Sequence, residues 1–155
     1  MKLFKCLSAV VASLVLVSGP SLAVPATNAD GDYLFPGRRG NRQFNWEVSD
    51  RDPNGLNCRM PRQFQGVIMD SLEIPELLRT NNRHEISQWS VVRVFEQGDR
   101  LEAVTGNLAN QIVLLDKRGK PWIPVSIEEG NCFVRANSRF IVPIAEDPVT
   151  LEPLE

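Results

Sequence analysis

The single histidine of the chain is the first place to look for chemistry. His84-Glu85-Ile86-Ser87-Gln88 opens like the helix of a zinc hydrolase, where a second histidine four residues on completes the metal face. Gln88 stands at that position and the chain holds one His in all. Three protein ligands for a catalytic zinc are therefore missing. A Ser-His-Asp or Cys-His nucleophile would have to draw on the same His84, and no Gly-x-Ser-x-Gly elbow is present. Asp50-Arg51-Asp52-Pro53-Asn54-Gly55 begins like a calcium loop, but Pro61 occupies the position of the bidentate glutamate. His84 reads as an exposed loop residue and residues 50–55 as a β-turn. The expectation is a non-enzymatic chain with no catalytic residue, no metal and no cofactor.

Cysteine and tryptophan offer more. Met1 to Ala23 reads as a secretory signal: Lys2 and Lys5 lead, an apolar stretch from Leu7 to Val17 follows, and Ser21-Leu22-Ala23 suits a signal peptidase. Once it is removed, Cys58 and Cys132 remain, and a cysteine pair in an exported protein reads as one disulfide. Such a bridge would join an early strand to a late one, stapling the first strand of the domain to the last. On the loop-entropy model, closing about 75 residues stabilises by roughly 4 kcal/mol. For recognition, an exposed Trp beside an Arg makes a usable face. Trp89 and Trp122, with Arg59 and Arg62, are the candidate binding residues; for either tryptophan the competing reading, favoured by average burial, is a core side chain.

The elements that must position these residues alternate short apolar runs with turns. Residues 24–43 contain Pro25, Pro36, Gly31, Gly37, Gly40 and three arginines, and read as a flexible linker, except that Tyr33, Leu34 and Phe35 are expected by default to pack back on the domain, the alternative being contact with a partner. Phe44, Trp46 and Val48 alternate with polar residues as in a half-buried strand. Asp52-Pro53-Asn54-Gly55 is a turn signal, and Leu56 to Arg59 a second strand. Residues 61–88 are the least regular, with a short strand at Val67–Met69 and one helical turn at Pro75–Arg79 expected. Trp89 to Thr105 reads as a hairpin, its strands at Val91–Phe95 and Leu101–Val104, turning at Glu96-Gln97-Gly98-Asp99. From Ile112 to Ile144, apolar runs broken by Asp116–Lys120 and Glu128–Asn131 read as a strand meander. Residues 145–155 read as a disordered acidic tail. Phe95, Phe133 and Val134 are the expected core residues.

The composition is that of a globular protein, 43% hydrophobic and 23% charged. Removing Lys2 and Lys5 leaves 15 basic against 19 acidic residues, a net charge of −4. No bulk electrostatic attraction for nucleic acid is expected. Outside the signal, no run approaches the ~20 apolar residues of a membrane span.

Residues 54–144 resemble the bacterial Src-homology-3-like (SH3-like) domain. The strand Leu56-Asn57-Cys58-Arg59 matches the opening of that family. Val91-Val92-Arg93-Val94-Phe95-Glu96-Gln97-Gly98-Asp99-Arg100-Leu101-Glu102-Ala103-Val104 matches its next hairpin without a gap. Trp122-Ile123-Pro124-Val125 and Phe133–Ile141 match its later strands. The chain departs from the family at Met60-Pro61-Arg62, in the long Arg62–Ser90 loop, and at Phe133 where Trp is common. The resemblance implies an all-β fold: a small SH3-like β-barrel over residues 44–144, with one extended loop, behind an N-terminal signal peptide. It also implies a binding module for peptidoglycan or a protein or peptide partner. The type is that of small secreted cyanobacterial proteins, so a periplasmic, secreted or thylakoid-lumenal location is expected. The competing reading is an assembly factor docking on an envelope or lumenal complex.

Overall fold

The computed structural model describes residues 24–35, 44–65, 83–104 and 112–144. The signal peptide (1–23), the rest of the linker (36–43), the strand and helical turn expected within 67–79, and the tail (145–155) lie outside the described residues. The fold is all-β. In chain order the strands are β1 (Asn45–Val48), β2 (Leu56–Met60), β3 (Ser90–Phe95), β4 (Arg100–Glu102), β5 (Leu114–Leu115), β6 (Pro121–Ile127), β7 (Gly130–Arg135) and β8 (Ile141–Pro143). Two single-turn 3-10 helices, Arg62–Phe64 and Ile86–Gln88, flank the long connection between β2 and β3.

The strands form two antiparallel sheets. One has the order β4-β1-β8, the other β3-β2-β7-β6-β5. Alternation in β1 sends Trp46 and Val48 inward and Asn45 and Glu47 outward. Those inward residues meet Met60, Ile123, Val125, Phe133, Val134 and Ile141 in one core. All of these are fully buried, and Phe95 is buried as well. Ala103 bridges to Val125, and the Val104 amide donates to the Pro124 carbonyl at 2.9 Å, which ties the sheets together. Pro124 is tolerated inside β6 because β5 pairs only with Pro121 and Trp122, so nothing in β5 needs its missing N–H.

Three expectations require correction. Val91 to Val104 is not a hairpin: β3 pairs with β2, and β4 pairs with β1. The reason is the turn itself. Val48 takes the Gly98 amide at 2.8 Å and donates to the Asp99 carbonyl at 2.9 Å, so the chain turns a corner onto β1 instead of folding back. The disulfide Cys58–Cys132 is present, with Cα atoms 5.5 Å apart, but it joins β2 to β7, neighbours in the interior of the larger sheet, rather than its extremes.

The third concerns residues 24–35, which are not linker. They form a small hairpin closed by the Thr27–Tyr33 bridge, with the Leu34 amide on the Ala26 carbonyl at 2.8 Å. Tyr33 is 4% exposed, crosses the Trp46 ring edge-on at 4.9 Å, and donates its hydroxyl to the Ile141 carbonyl at 2.9 Å. Gly and Pro content suggested a mobile segment. The buried Tyr33 ring, with a partner for its hydroxyl, works with the backbone bonds of the hairpin and the bonds to Asp32 against the ordering entropy.

Candidate functional site

The connection between β2 and β3 positions the candidate site. Pro61 leaves β2 and the chain makes the first 3-10 turn, carrying Arg62 and Gln63. It returns through His84 and the second 3-10 turn, whose Ile86 is buried and anchors the segment. Trp89 and Ser90 then enter β3. Between the two arms lies a cleft of about 360 Å³, lined by Pro61, Arg62, Gln63, His84, Gln88, Trp89 and Ser90.

Trp89 is the centre of the cleft, and its position is held from several sides. Arg59, on β2, donates from Nη1 to the Trp89 carbonyl at 2.8 Å. The Trp89 ring meets buried Phe133 edge-on at 5.7 Å, and the His84 ring lies tilted against it at 5.6 Å. The indole is only half-buried, so part of it is offered to the cleft. The His84 backbone is fixed from the opposite side: it bridges to Asp116, and its carbonyl accepts from the Lys117 amide at 3.0 Å. Lys117 also pairs with exposed Glu85 at 3.1 Å. Among the described residues no carboxylate side chain lines the cleft; Arg62 and His84 do, with two carboxamides and a hydroxyl.

Of the four residues singled out for binding, the structure brings Trp89 and Arg62 to the cleft and sets Arg59 behind Trp89 as its support. Trp122 is not a surface residue. It is 7% exposed, and its indole N–H donates to Asp116 Oδ2 at 3.2 Å. The Asp116 side chain folds the 116–120 turn by accepting the amides of Arg118 and Lys120 at 2.9 Å each, which draws its other oxygen onto Trp122. His84 was read as an exposed loop residue; it is half-buried and faces Trp89. Gln63 and Gln88 carried no signal, because their approach depends on how the long connection returns. Asp50 and Asp52 spend their Oδ1 atoms on the Asp52 and Asn54 amides, at 3.0 and 2.9 Å, within the turn. Among the described residues no three His, Cys, Asp or Glu side chains group as metal ligands, and no helix is long and apolar enough to cross a membrane.

A second polar cluster seats the N-terminal hairpin. Asp32 is buried and accepts from Arg135 Nη2, from Asn137 Nδ2 at 2.6 Å and from Lys120 Nζ at 3.2 Å. Burial alone would push its carboxyl up. The bonds from Asn137 and Lys120, with the charge and bond of Arg135, outweigh that and hold it below the ordinary 3.8. Lys120 is raised by its bonds to Asp30 and Asp32. Asn137 Nδ2 also donates to the Asp30 carbonyl at 2.9 Å, and the Ser138 amide to the Gly31 carbonyl at 2.9 Å. These groups satisfy one another and act as a clasp.

No family model matches this chain, no curated protein matches it, and no solved structure matches it.

Proposed function

We propose that this chain is an exported, non-enzymatic binding module of the bacterial SH3-like kind, and that it recognises a protein or peptide segment or cell-wall material through the cleft around Trp89. One observation carries the reading: a partly buried indole, fixed by Arg59, Phe133 and His84, stands in a cleft with polar donors on its rim. Rigid aromatic anchors with polar surroundings dominate recognition surfaces because they bury large area at little entropic cost. The disulfide suits an oxidising compartment outside the cytoplasm. The test is a pull-down of the protein lacking residues 1–23 on purified peptidoglycan, in parallel with crosslinking in extracts. Each arm is repeated with Trp89→Ala. Recovery only in the supernatant removes the cell-wall version, and no reproducible crosslinked partner removes the protein version. A retained ligand that Trp89→Ala binds equally well removes the cleft.

A further inference from the structure

β3 leaves the cleft as the outer strand of the five-stranded sheet. Ser90 both lines the cleft and opens this strand. Among the described residues β3 pairs on one side only, with β2. Natural sheets protect such an edge with proline, lysine or an inward charge, because its unpaired amides and carbonyls template another strand. β3 is Ser90-Val91-Val92-Arg93-Val94-Phe95, with no proline and no lysine; Val91 and Val94 are each 44% exposed, and a register shift against β2 falls at Val92, between the paired Val91 and Arg93. Its one charge, Arg93, lies over the Phe95 ring at 5.9 Å. Strand addition to an open edge is an established mode of peptide recognition: backbone bonds supply affinity and alternate side chains supply specificity.

Polarity then selects what the cleft receives. A segment added antiparallel to β3 runs from Phe95 toward Ser90 and delivers its C-terminal end to the cleft. A parallel segment would deliver its N-terminal end. The cleft presents the guanidinium of Arg62, with His84 in its wall, and among the described residues no carboxylate lines it. The Arg62 charge favours a carboxylate and disfavours an ammonium. From the Arg62 charge and this edge we infer that the module binds the C-terminus of an extended peptide, which pairs antiparallel along β3 and sets its terminal carboxylate in the cleft beside Arg62. An acidic residue opposite Arg93 and a side chain resting on Trp89 complete the match. Six residues of strand span about 20 Å, enough to run the length of β3. This inference rests on the cleft reading proposed above and adds the ligand class and its direction.

The probe is a synthetic library of hexapeptides randomised at every position, prepared once with a free terminal carboxylate and once as the C-terminal amide. Capture is measured on the immobilised protein lacking residues 1–23. A charge-assisted bond to a carboxylate predicts capture on the order of 10- to 100-fold stronger from the free-acid library. The double variant Arg62→Gln/His84→Gln should reduce that preference to near unity. Val91→Lys/Val94→Lys, at two exposed positions that leave the core untouched, should weaken capture from both libraries. Circular dichroism of each variant confirms the fold. Equal capture of acid and amide overturns the inference, as does capture that the β3 variant leaves unchanged. If acid and amide are captured equally but Trp89→Ala still abolishes binding, the cleft reading stands and only the terminus assignment falls. If neither library is captured while peptidoglycan is, the ligand is not a peptide terminus.

Discussion

Replacing Asp32 by Asn tests how the N-terminal hairpin is held. The substitution keeps the shape and one acceptor oxygen but removes the charge that Arg135 and Asn137 converge on. Breaking one partner of a buried ion pair costs about 3–5 kcal/mol when the other charge is left dry. Arg135 is 13% exposed and keeps its bond from Nη1 to the Pro121 carbonyl at 2.6 Å, so water and that carbonyl relieve part of the loss. A charge-assisted hydrogen bond contributes about 1.5–3 kcal/mol net. The expected destabilisation at neutral pH is about 2 kcal/mol. The assay is equilibrium urea unfolding of both proteins across acid pH, with unchanged slopes as the check on two-state behaviour. The carboxyl is depressed in the folded state, so its contribution is full above the unfolded value near 3.8 and is lost as pH falls through the lower folded value. The difference between the two proteins should therefore hold from neutral pH to about 4 and close below it. A cost under about 0.5 kcal/mol at neutral pH would refute the clasp. So would a cost that persists undiminished in strong acid.

Other outcomes follow from the same geometry. The chain has one tyrosine, so tyrosinate absorbance reports Tyr33 alone; burial pushes it from 10.0 up to about 12, and the native titration step should sit there and move to about 10 in urea. Because the folded state holds that proton, stability from this group is present below pH 10 and is lost as pH rises toward about 12; a native step at 10 contradicts the burial. Gly55 and Gly98 both have positive φ, 73° and 91°, but a Cβ on Gly55 would meet the Phe95 carbonyl oxygen at 2.5 Å and Val94 Cγ1 at 2.7 Å, whereas one on Gly98 meets nothing within 4 Å. Gly98→Ala should cost about 1–2 kcal/mol and Gly55→Ala clearly more, measured by thermal unfolding; equal costs would mean the close approach is absent. Alkylation of the unreduced protein lacking residues 1–23, followed by mass spectrometry, should find no reactive thiol. Reduction should lower stability by up to roughly 4 kcal/mol; two alkylated cysteines would contradict the bridge.

Much of the sheet was legible because its signals are local. Trp46 and Val48 alternate with polar neighbours, Asp52–Gly55 carries turn residues, and the β5–β6–β7 meander is punctuated by Asp116–Lys120 and Glu128–Asn131. Phe95, Phe133 and Val134 could be assigned to the core because short apolar runs in a small all-β chain have nowhere else to go. The cysteine pair followed from counting, since removal of the leading segment leaves two.

Partnership over distance was not legible. A corner at Gly98 looks like a hairpin turn until Val48 arrives to take its amide. That Tyr33 packs back was legible; that its partners are the Trp46 ring of the next strand and, far along the chain, the Ile141 carbonyl was not. Each of the two tryptophans flagged for binding stands where a strand begins. Asp116 buries one, and the return of the long β2–β3 connection leaves the other half open beside Arg62 and His84. The residue types determined that strands would form and that sulfur would join two of them. Which faces met, and so which side chains stayed available to a ligand, was decided by contacts between distant segments, because the burial that decides exposure is a property of the assembled sheets.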